Sequence, residues 1–166
     1  MITYNELCKK YTDHQNMLSQ RKDILRNELR DLVLAFEENL GLKGLTYIQS
    51  KPDGKHRLPY VDLLNIENRS SPDIIQPFQA PVAFENSKPY SVVGISLILE
   101  KDGNTYPKTR VYVPLKITLA HNNLLYVEFN EIENKPCFEV DTREQNKFKD
   151  VIEEIKASIM RNFEYE

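Results

Sequence analysis

Hydrophobic periodicity changes twice along this chain of 166 residues, and the two changes restrict the fold more than any other feature. Apolar side chains recur every three or four residues over residues 1–41 and again over residues 142–164, which predicts a helix at each end. Residues 45–141 instead alternate with a period of two, as strands do. Because no helix separates the strands, we expect one α+β domain over residues 1–166, with an antiparallel sheet that carries both helices on one face.

The first helix has recognisable ends. Thr3 and Glu6 have the spacing of a capping box, and Gly41 supplies a left-handed stop. Thr12 and Gln15 repeat the box spacing, so a break near Thr12 is an alternative to one continuous helix.

The last helix is expected to begin at Asp141 or Thr142, because Glu144 or Gln145 would complete a capping box there. Its apolar stripe then runs at helical spacing to Phe163. This stripe predicts a helix that packs one face against the sheet.

The middle of the first apolar stripe is polar, which limits what that helix can pack against. A strict heptad seam would place His14, Arg21 and Glu28 at d positions, and this argues against a long coiled coil. We therefore expect the C-terminal half of the helix to lie on the sheet, while its N-terminal half projects or binds a partner. A homodimer through this helix is one such arrangement.

The central region predicts an antiparallel sheet of about six strands, made of a hairpin and a four-stranded meander. A turn at Pro52, Asp53 and Gly54 closes the hairpin, and a second turn centred on Asp102 opens the meander. Pro114 lies inside an alternating strand and marks an edge or a bulge, because proline cannot donate to the ladder. The predicted strands cover residues 45–49, 58–67, 91–100, 108–120, 124–129 and 137–140.

Composition excludes several classes of protein. With 40% hydrophobic and 28% charged residues the chain can build a core, and a net charge of −3 is too balanced for a dedicated nucleic-acid binder. No run approaches the roughly 18 apolar residues of a membrane span, and the first residues lack a signal-peptide pattern, so we expect neither a span nor export. Cys8 and Cys137 lack metal or redox spacing and are interpreted as reduced thiols of a cytoplasmic protein.

The sequence contains none of the common catalytic motifs. His14, His56 and His121 fall on different elements and lack the spacing of metal ligands. Five glycines in the whole chain leave no glycine-rich phosphate loop. We therefore expect no catalytic residue, no cofactor and no metal site.

Asp62 is the one residue that suggests an enzyme, because it interrupts an apolar strand face. A metal-dependent nuclease would need a Glu-x-Lys element on an adjacent strand, but residues 133–135 and 154–156 fall in a turn and on the last helix. The alternative is structural: a buried charge is costly unless paired, so Asp62 meets Arg110 or Tyr112, or its end of the face opens to solvent.

Residues 68–90 form the longest stretch without a period and contain four prolines. Connections in compact domains seldom exceed about 12–15 residues without a functional reason or disorder, and this stretch is too apolar for disorder. Two outcomes stay open: the segment plugs its own sheet, or it is presented to another chain. The predicted contact residues are Ile74, Ile75, Phe78, Val82 and Phe84.

We expect a non-catalytic protein that occludes or escorts one specific protein partner. Glu128, Glu131 and Glu133, near the end of the meander, would steer a basic partner, and the apolar segment would form the dehydrated centre of the contact. Toxin-neutralising immunity proteins and secretion chaperones share this size, acidity and α+β class, although no motif ties the chain to either group.

The hairpin tip supports a different interpretation, in which the chain is an accessory subunit of a nucleic-acid assembly. Basic groups beside aromatic rings can follow a single strand and stack its bases, and Tyr47 and Tyr60 flank this tip. The basic residues of the tip are Lys51, Lys55, His56 and Arg57.

Overall fold

A computed structural model describes residues 1–101 and 108–164 and confirms the α+β class. The helices are α1, Tyr4–Asn39, and α2, Lys149–Arg161. The turn predicted around Asp102 lies outside the described residues. The strands are β1 Thr46–Lys51, β2 Gly54–Pro59, β3 Val61–Asn65, β4 Asp73–Ile75, β5 Ala83–Glu85, β6 Lys88–Leu99, β7 Thr109–Leu119, β8 Leu124–Glu128 and β9 Cys137–Asp141.

These strands form a separate hairpin and one seven-stranded antiparallel sheet. β1 pairs only with β2, and the larger sheet has the order β4-β3-β6-β7-β8-β9. β5 pairs with the first residues of β6, so β3 and β5 lie end to end along the same edge of that strand. The strand predicted over residues 58–67 is divided, because the carbonyl oxygen of Tyr60 accepts from Ile98 N–H at 2.9 Å and β3 joins the main sheet there.

Both helices cover one face of the larger sheet. The two apolar stripes and the inward face of β7 belong to one buried cluster, in which each large side chain contributes about 1.5–3 kcal/mol. Phe163, predicted to extend the second stripe, follows the end of α2 and is 52% exposed. The helical members of the cluster are Leu25, Leu29, Leu32 and Phe36 of α1, and Val151, Ile152, Ile155 and Ile159 of α2.

α1 is continuous over 36 residues and has the predicted capping box. Thr3 Oγ1 accepts from Glu6 N–H at 3.2 Å, and Glu6 Oε2 accepts from Thr3 N–H at 2.6 Å. Thr12 does not break the helix, because its hydroxyl donates to Cys8 O at 2.9 Å within the same turn. The chain leaves the helix through Gly41, whose φ of +70° is the expected left-handed stop.

The predicted cap of the last helix is wrong by six or seven residues, because the helix is preceded by Phe148 and both candidate caps are engaged elsewhere. The Asp141 carboxylate accepts from Arg143 N–H and from the Arg143 guanidinium, each at 3.0 Å. The Thr142 hydroxyl donates to Asn123 O at 2.8 Å. The chain therefore makes turns before α2 begins at Lys149.

Pro114 lies at an edge, as predicted. Pairing of β7 with β8 begins only at Lys116, so the earlier part of β7 has no described strand on that side. Ala120 N–H donates to Leu124 O, on the β8 side of β7. Backbone nitrogens of an antiparallel strand point to alternate sides, so the nitrogen of Pro114, six residues earlier, also faces the β8 side. Its missing N–H therefore costs no sheet hydrogen bond.

In the described ranges, no helix has both the length and the apolar character needed to cross a membrane.

Candidate interaction surface

The proline-rich segment, residues 71–84, is an ordered border of the sheet and not the irregular loop that the sequence predicts. It forms the short strands β4 and β5 with a 3₁₀ turn, Pro77–Gln79, between them. Two side chains fasten its backbone: Arg26 of α1 donates twice to Ala80 O, and Ser91 Oγ donates to Pro81 O at 2.6 Å. The segment is therefore tied to both α1 and β6.

The five apolar contact residues predicted in this segment divide into two groups. Ile75 and Val82 pack against the core beside fully buried Ala80, as a plug would. Ile74, Phe78 and Phe84 are 48%, 69% and 39% exposed. The backbone and two side chains therefore close the sheet, as the first outcome requires, while three side chains face outward and leave binding to another chain a prediction.

The three acidic residues predicted to steer a partner lie on β8 and in the turn after it. β8 is four strand spacings from β4, or roughly 19 Å, but Glu128 lines a cavity together with Glu85, which follows Phe84 in β5. Glu131 is neutralised by Arg69, whose Nη1 donates to Glu131 Oε2 at 2.9 Å, while Glu133 is exposed in the following turn. Glu128 therefore lies near the β5 end of the segment, and Glu131 contacts Arg69, two residues before its start.

A small cavity beside the proline-rich segment holds carboxylates from two elements. Glu37 of α1 and Asp62 of β3 both line it, and its volume is about 210 Å³. That volume is below the roughly 300–1,000 Å³ of sites that enclose small ligands, so the cavity fits a single side chain better. Its apolar walls are Val33, Leu34, Pro59, Val61, Leu63, Ile75 and Pro77.

Asp62 pairs with Arg110, as one of the predicted alternatives requires. Arg110 Nη1 lies 3.4 Å from Asp62 Oδ2 and donates to Ser96 Oγ at 2.7 Å. Burial raises the pKa of Asp62 above its ordinary value of 3.8, although the Arg110 charge opposes this. Tyr112, the other predicted partner, lies against Gly94 instead.

Glu37 shares the electrostatic environment of Asp62. Burial raises the pKa of Glu37 above 4.5, and the neighbouring Asp62 charge raises it further. Arg30 lines the same cavity, so the two carboxyl groups share it with a cation. The sequence analysis missed Glu37 and Leu34, although a leucine on the polar side of an amphipathic helix was an available signal. Leu34 is 49% exposed.

The arrangement required for a metal-dependent nuclease is not present in the part of the chain that the structure describes. Within residues 1–101 and 108–164, no three His, Cys, Asp or Glu side chains are grouped to hold a metal ion. Glu154, in the second candidate Glu-x-Lys element, forms an ion pair with Arg161 at 2.7 Å on α2.

The basic hairpin offers less to a nucleic acid than its sequence predicts. The strand register places Lys55 and Arg57 on one face, and Lys51 and His56 on the other. His56 also lies 2.9 Å from the Asp53 carboxylate. The tyrosine rings contact each other, with centroids 5.4 Å apart, and Tyr47 is only 8% exposed, so its ring is not available to stack on a base.

A larger cavity, about 630 Å³, is an open groove between α1 and the turns before α2. Lys147 at its wall is 2.7 Å from Glu28 Oε2 and 3.2 Å from Asp31 Oδ2. These ion pairs join α1 to the turns before α2 and leave the Lys147 cation already neutralised.

Comparison with known proteins adds no assignment. No protein family model, no curated protein and no solved structure matches the chain.

Proposed function

We propose that this protein acts without catalysis, by binding one specific protein partner along the border formed by the proline-rich segment. The observation that carries the proposal is the exposure of Ile74, Phe78 and Phe84 on a backbone that is hydrogen-bonded to α1 and β6. Large apolar side chains held in this way are typical of the anchors that dominate protein interfaces.

The backbone of the proline-rich segment is already fixed in the free protein, which lowers the entropy cost of binding a partner. Ordering a loop or a long side chain on association costs about 0.5–1.5 kcal/mol for each group immobilised. The double hydrogen bond from Arg26 and the paired strands β4 and β5 remove much of that cost in the free protein. A partner therefore gains the apolar contact with little ordering of this border.

The cavity indicates the chemistry of the partner. Glu37 would pair with a lysine or arginine side chain, whose methylene stem would lie between Leu34 and Pro77, while Asp62, already paired with Arg110, lines the same cavity. This places the acidic contribution beside the apolar border, in addition to Glu128 and Glu133. A net charge of −3 supports the same preference for a basic partner.

By covering its partner in this way, the protein would occlude or escort it. Immunity proteins and secretion chaperones act on their partners in the same manner. The proposed compartment is the cytoplasm, which suits the two free cysteines, Cys8 and Cys137. Both the mode of action and the compartment belong to the proposal.

Affinity capture from a lysate of the source organism tests this function. The wild-type protein should retain one stoichiometric, basic partner. Phe78→Asp should lose it, and Glu37→Lys should weaken its retention, while Lys135→Asp, at an exposed turn, should capture as the wild type does. Equal capture by all four proteins, or no stoichiometric partner, would rule the proposal out.

One observation favours a second candidate, acid–base catalysis by Glu37 and Asp62, since paired carboxylates with raised pKa values are common in active sites. Turnover of generic ester and phosphodiester substrates, abolished by Glu37→Gln, would support it. The small cavity and the engagement of Asp62 by Arg110 favour the binding function.

A further inference from the structure

About half of α1 extends beyond the body of the protein. Every residue from 1 to 17 is exposed, and Arg21 is the first α1 residue with a hydrogen bond to the sheet, donating to Leu119 O and Ala120 O at 3.1 Å. At 1.5 Å per residue, the free part of the helix is about 25 Å long. We call residues 1–18 the overhang.

The overhang carries an apolar stripe that continues the buried one. Tyr4, Leu7, Tyr11 and Leu18 follow helical spacing, and the same face leads on to Leu25 and the rest of the core stripe. Yet Tyr4, Leu7 and Tyr11 are 79%, 58% and 67% exposed. A helix that stays free in water is polar all round, so this face fits one that is covered by another helix.

We infer that a second copy of this chain covers the overhang, as an antiparallel helix pair about a two-fold axis at Tyr11. In this register, facing residues have numbers that sum to 22, so Tyr4 meets the partner's Leu18 and Tyr11 meets its own equivalent. The part of the stripe outside the core ends at Leu18, which meets the partner's Tyr4, and each chain's own body begins just beyond, at Arg21. Two overhangs of this length therefore cover each other completely, as an isologous interface requires.

The surface available is enough for a dimer. Taking 150–250 Å² for each tyrosine ring, the two tyrosines with Ile2, Leu7 and Leu18 present on the order of 600 Å² per chain. The pair would then bury about 1,200 Å², at the lower end of stable protein interfaces. Lys10 and His14 on one flank, and Cys8 and Gln15 on the other, form a polar rim.

This dimer is separate from the proposed partner contact, because the overhang and the proline-rich segment share no residue. Sedimentation equilibrium of the full chain tests the dimer. Concentrations from about 1 to 200 µM are suitable, because the weakest interfaces of this kind have micromolar dissociation constants. The 19.5 kDa chain should approach twice its mass. Tyr11→Glu should weaken association more than about tenfold, and the matched variant Lys9→Glu, on the opposite face, should associate as the wild type does.

Disulfide trapping tests the register in a Cys8→Ser, Cys137→Ser background. Tyr11→Cys should form a covalent dimer on mild oxidation, because the two residues meet at the axis. Tyr4→Cys should not, since its equivalents lie 14 residues apart along the pair, or roughly 21 Å. A wild-type protein that stays monomeric throughout the concentration range, or linking at both positions, would overturn the inference.

Discussion

Arg26 and Ala80 are joined by two hydrogen bonds, from Arg26 Nε at 3.1 Å and from Nη2 at 2.8 Å to the same carbonyl oxygen. Ala80 is completely buried, so no water can replace the guanidinium at that oxygen. This contact connects the surface of α1 to the middle of the proline-rich segment. It explains how a segment with outward-facing phenylalanines keeps one conformation without a partner.

Removing this contact should loosen the segment. Arg26→Met leaves the Ala80 carbonyl unsatisfied, and we expect the free energy of unfolding to fall by about 1–3 kcal/mol in urea titrations. Limited proteolysis should also cut between Ile74 and Phe84 faster than in the wild type. The control is Lys9→Met, since Lys9 is an exposed residue of α1 far along the helix from the proline-rich segment. Equal cleavage rates in both variants would contradict this role for Arg26.

The raised pKa of Asp62 predicts how the stability of the protein depends on pH. The folded protein binds a proton here at higher pH than the unfolded chain, whose Asp62 titrates at the ordinary 3.8. The contribution of Asp62 to stability is therefore fully present below pH 3.8 and is lost as pH rises through the folded pKa.

Urea titrations of the wild type and of Asp62→Asn between pH 3 and pH 8 measure this effect. The free energy of unfolding of the wild type, relative to the variant, should fall with rising pH and then level off. A relative stability that increases with pH would mean that the Arg110 charge dominates over burial. Arg110→Met should strengthen the fall, because the opposing charge is then gone.

Side chains on the sheet face that the helices do not cover pack closely over Gly94, so we expect this position to require glycine. A Cβ atom there would lie 2.9 Å from Tyr112 Cδ2 and 3.1 Å from Ile66 Cγ2. We expect Gly94→Ala to lower the free energy of unfolding by about 1–3 kcal/mol, as overpacking does. Adding Tyr112→Leu should recover part of this loss in a double-mutant cycle. Simple addition of the two losses would show that the ring is not the obstacle.

The ion pair between Lys147 and Glu28, which joins the turns before α2 to α1, should contribute more to stability than a surface pair. Lys147→Met leaves Glu28, which is 8% exposed, without its cation, and we expect a loss of about 3–5 kcal/mol. The matched variant Lys156→Met removes a pair with the largely exposed Glu153 and an exposed hydrogen bond to Asn39, and should cost no more than about 1–2 kcal/mol. Similar losses in both variants would contradict this ranking.

Alkaline pH should remove the stability that Lys147 contributes to the folded protein. Burial lowers the pKa of Lys147, but the hydrogen bonds and charges of Glu28 and Asp31 outweigh burial, so its pKa lies above 10.5. The stability it contributes is present below pH 10.5 and is lost as pH rises through the folded pKa. The gap between the wild type and Lys147→Met should therefore narrow above pH 10.5.

The parts of the fold that the sequence predicted are those set by long periodic runs. The stripe of α1, its cap at Thr3 and its stop at Gly41 are local signals, and the alternation in β7 spans eleven residues. β4 and β5 have three residues each, too few for a period to show, and they exist because β3 and β6 offer them an edge. Their positions are decided by tertiary pairing.

The candidate site was predictable only in part, for a related reason. The apolar content of the segment identified Ile74, Phe78 and Phe84, and the cost of a buried charge identified the pairing of Asp62 with Arg110. That Glu37 lines the same cavity follows from how α1 crosses the border of β3, which no local pattern encodes. The failure at Asp141 is similar, since Arg143 competed for the carboxylate that was expected to cap a helix.

Photo-crosslinking in the source organism tests the central claim most directly, with a photoreactive phenylalanine analogue placed at Phe78. The control carries the analogue at Glu139, an exposed residue of the edge strand β9 at the opposite side of the sheet. We predict that one protein, rich in lysine and arginine, is linked from position 78 and not from position 139. The same products from both positions, or none from position 78, would contradict the account.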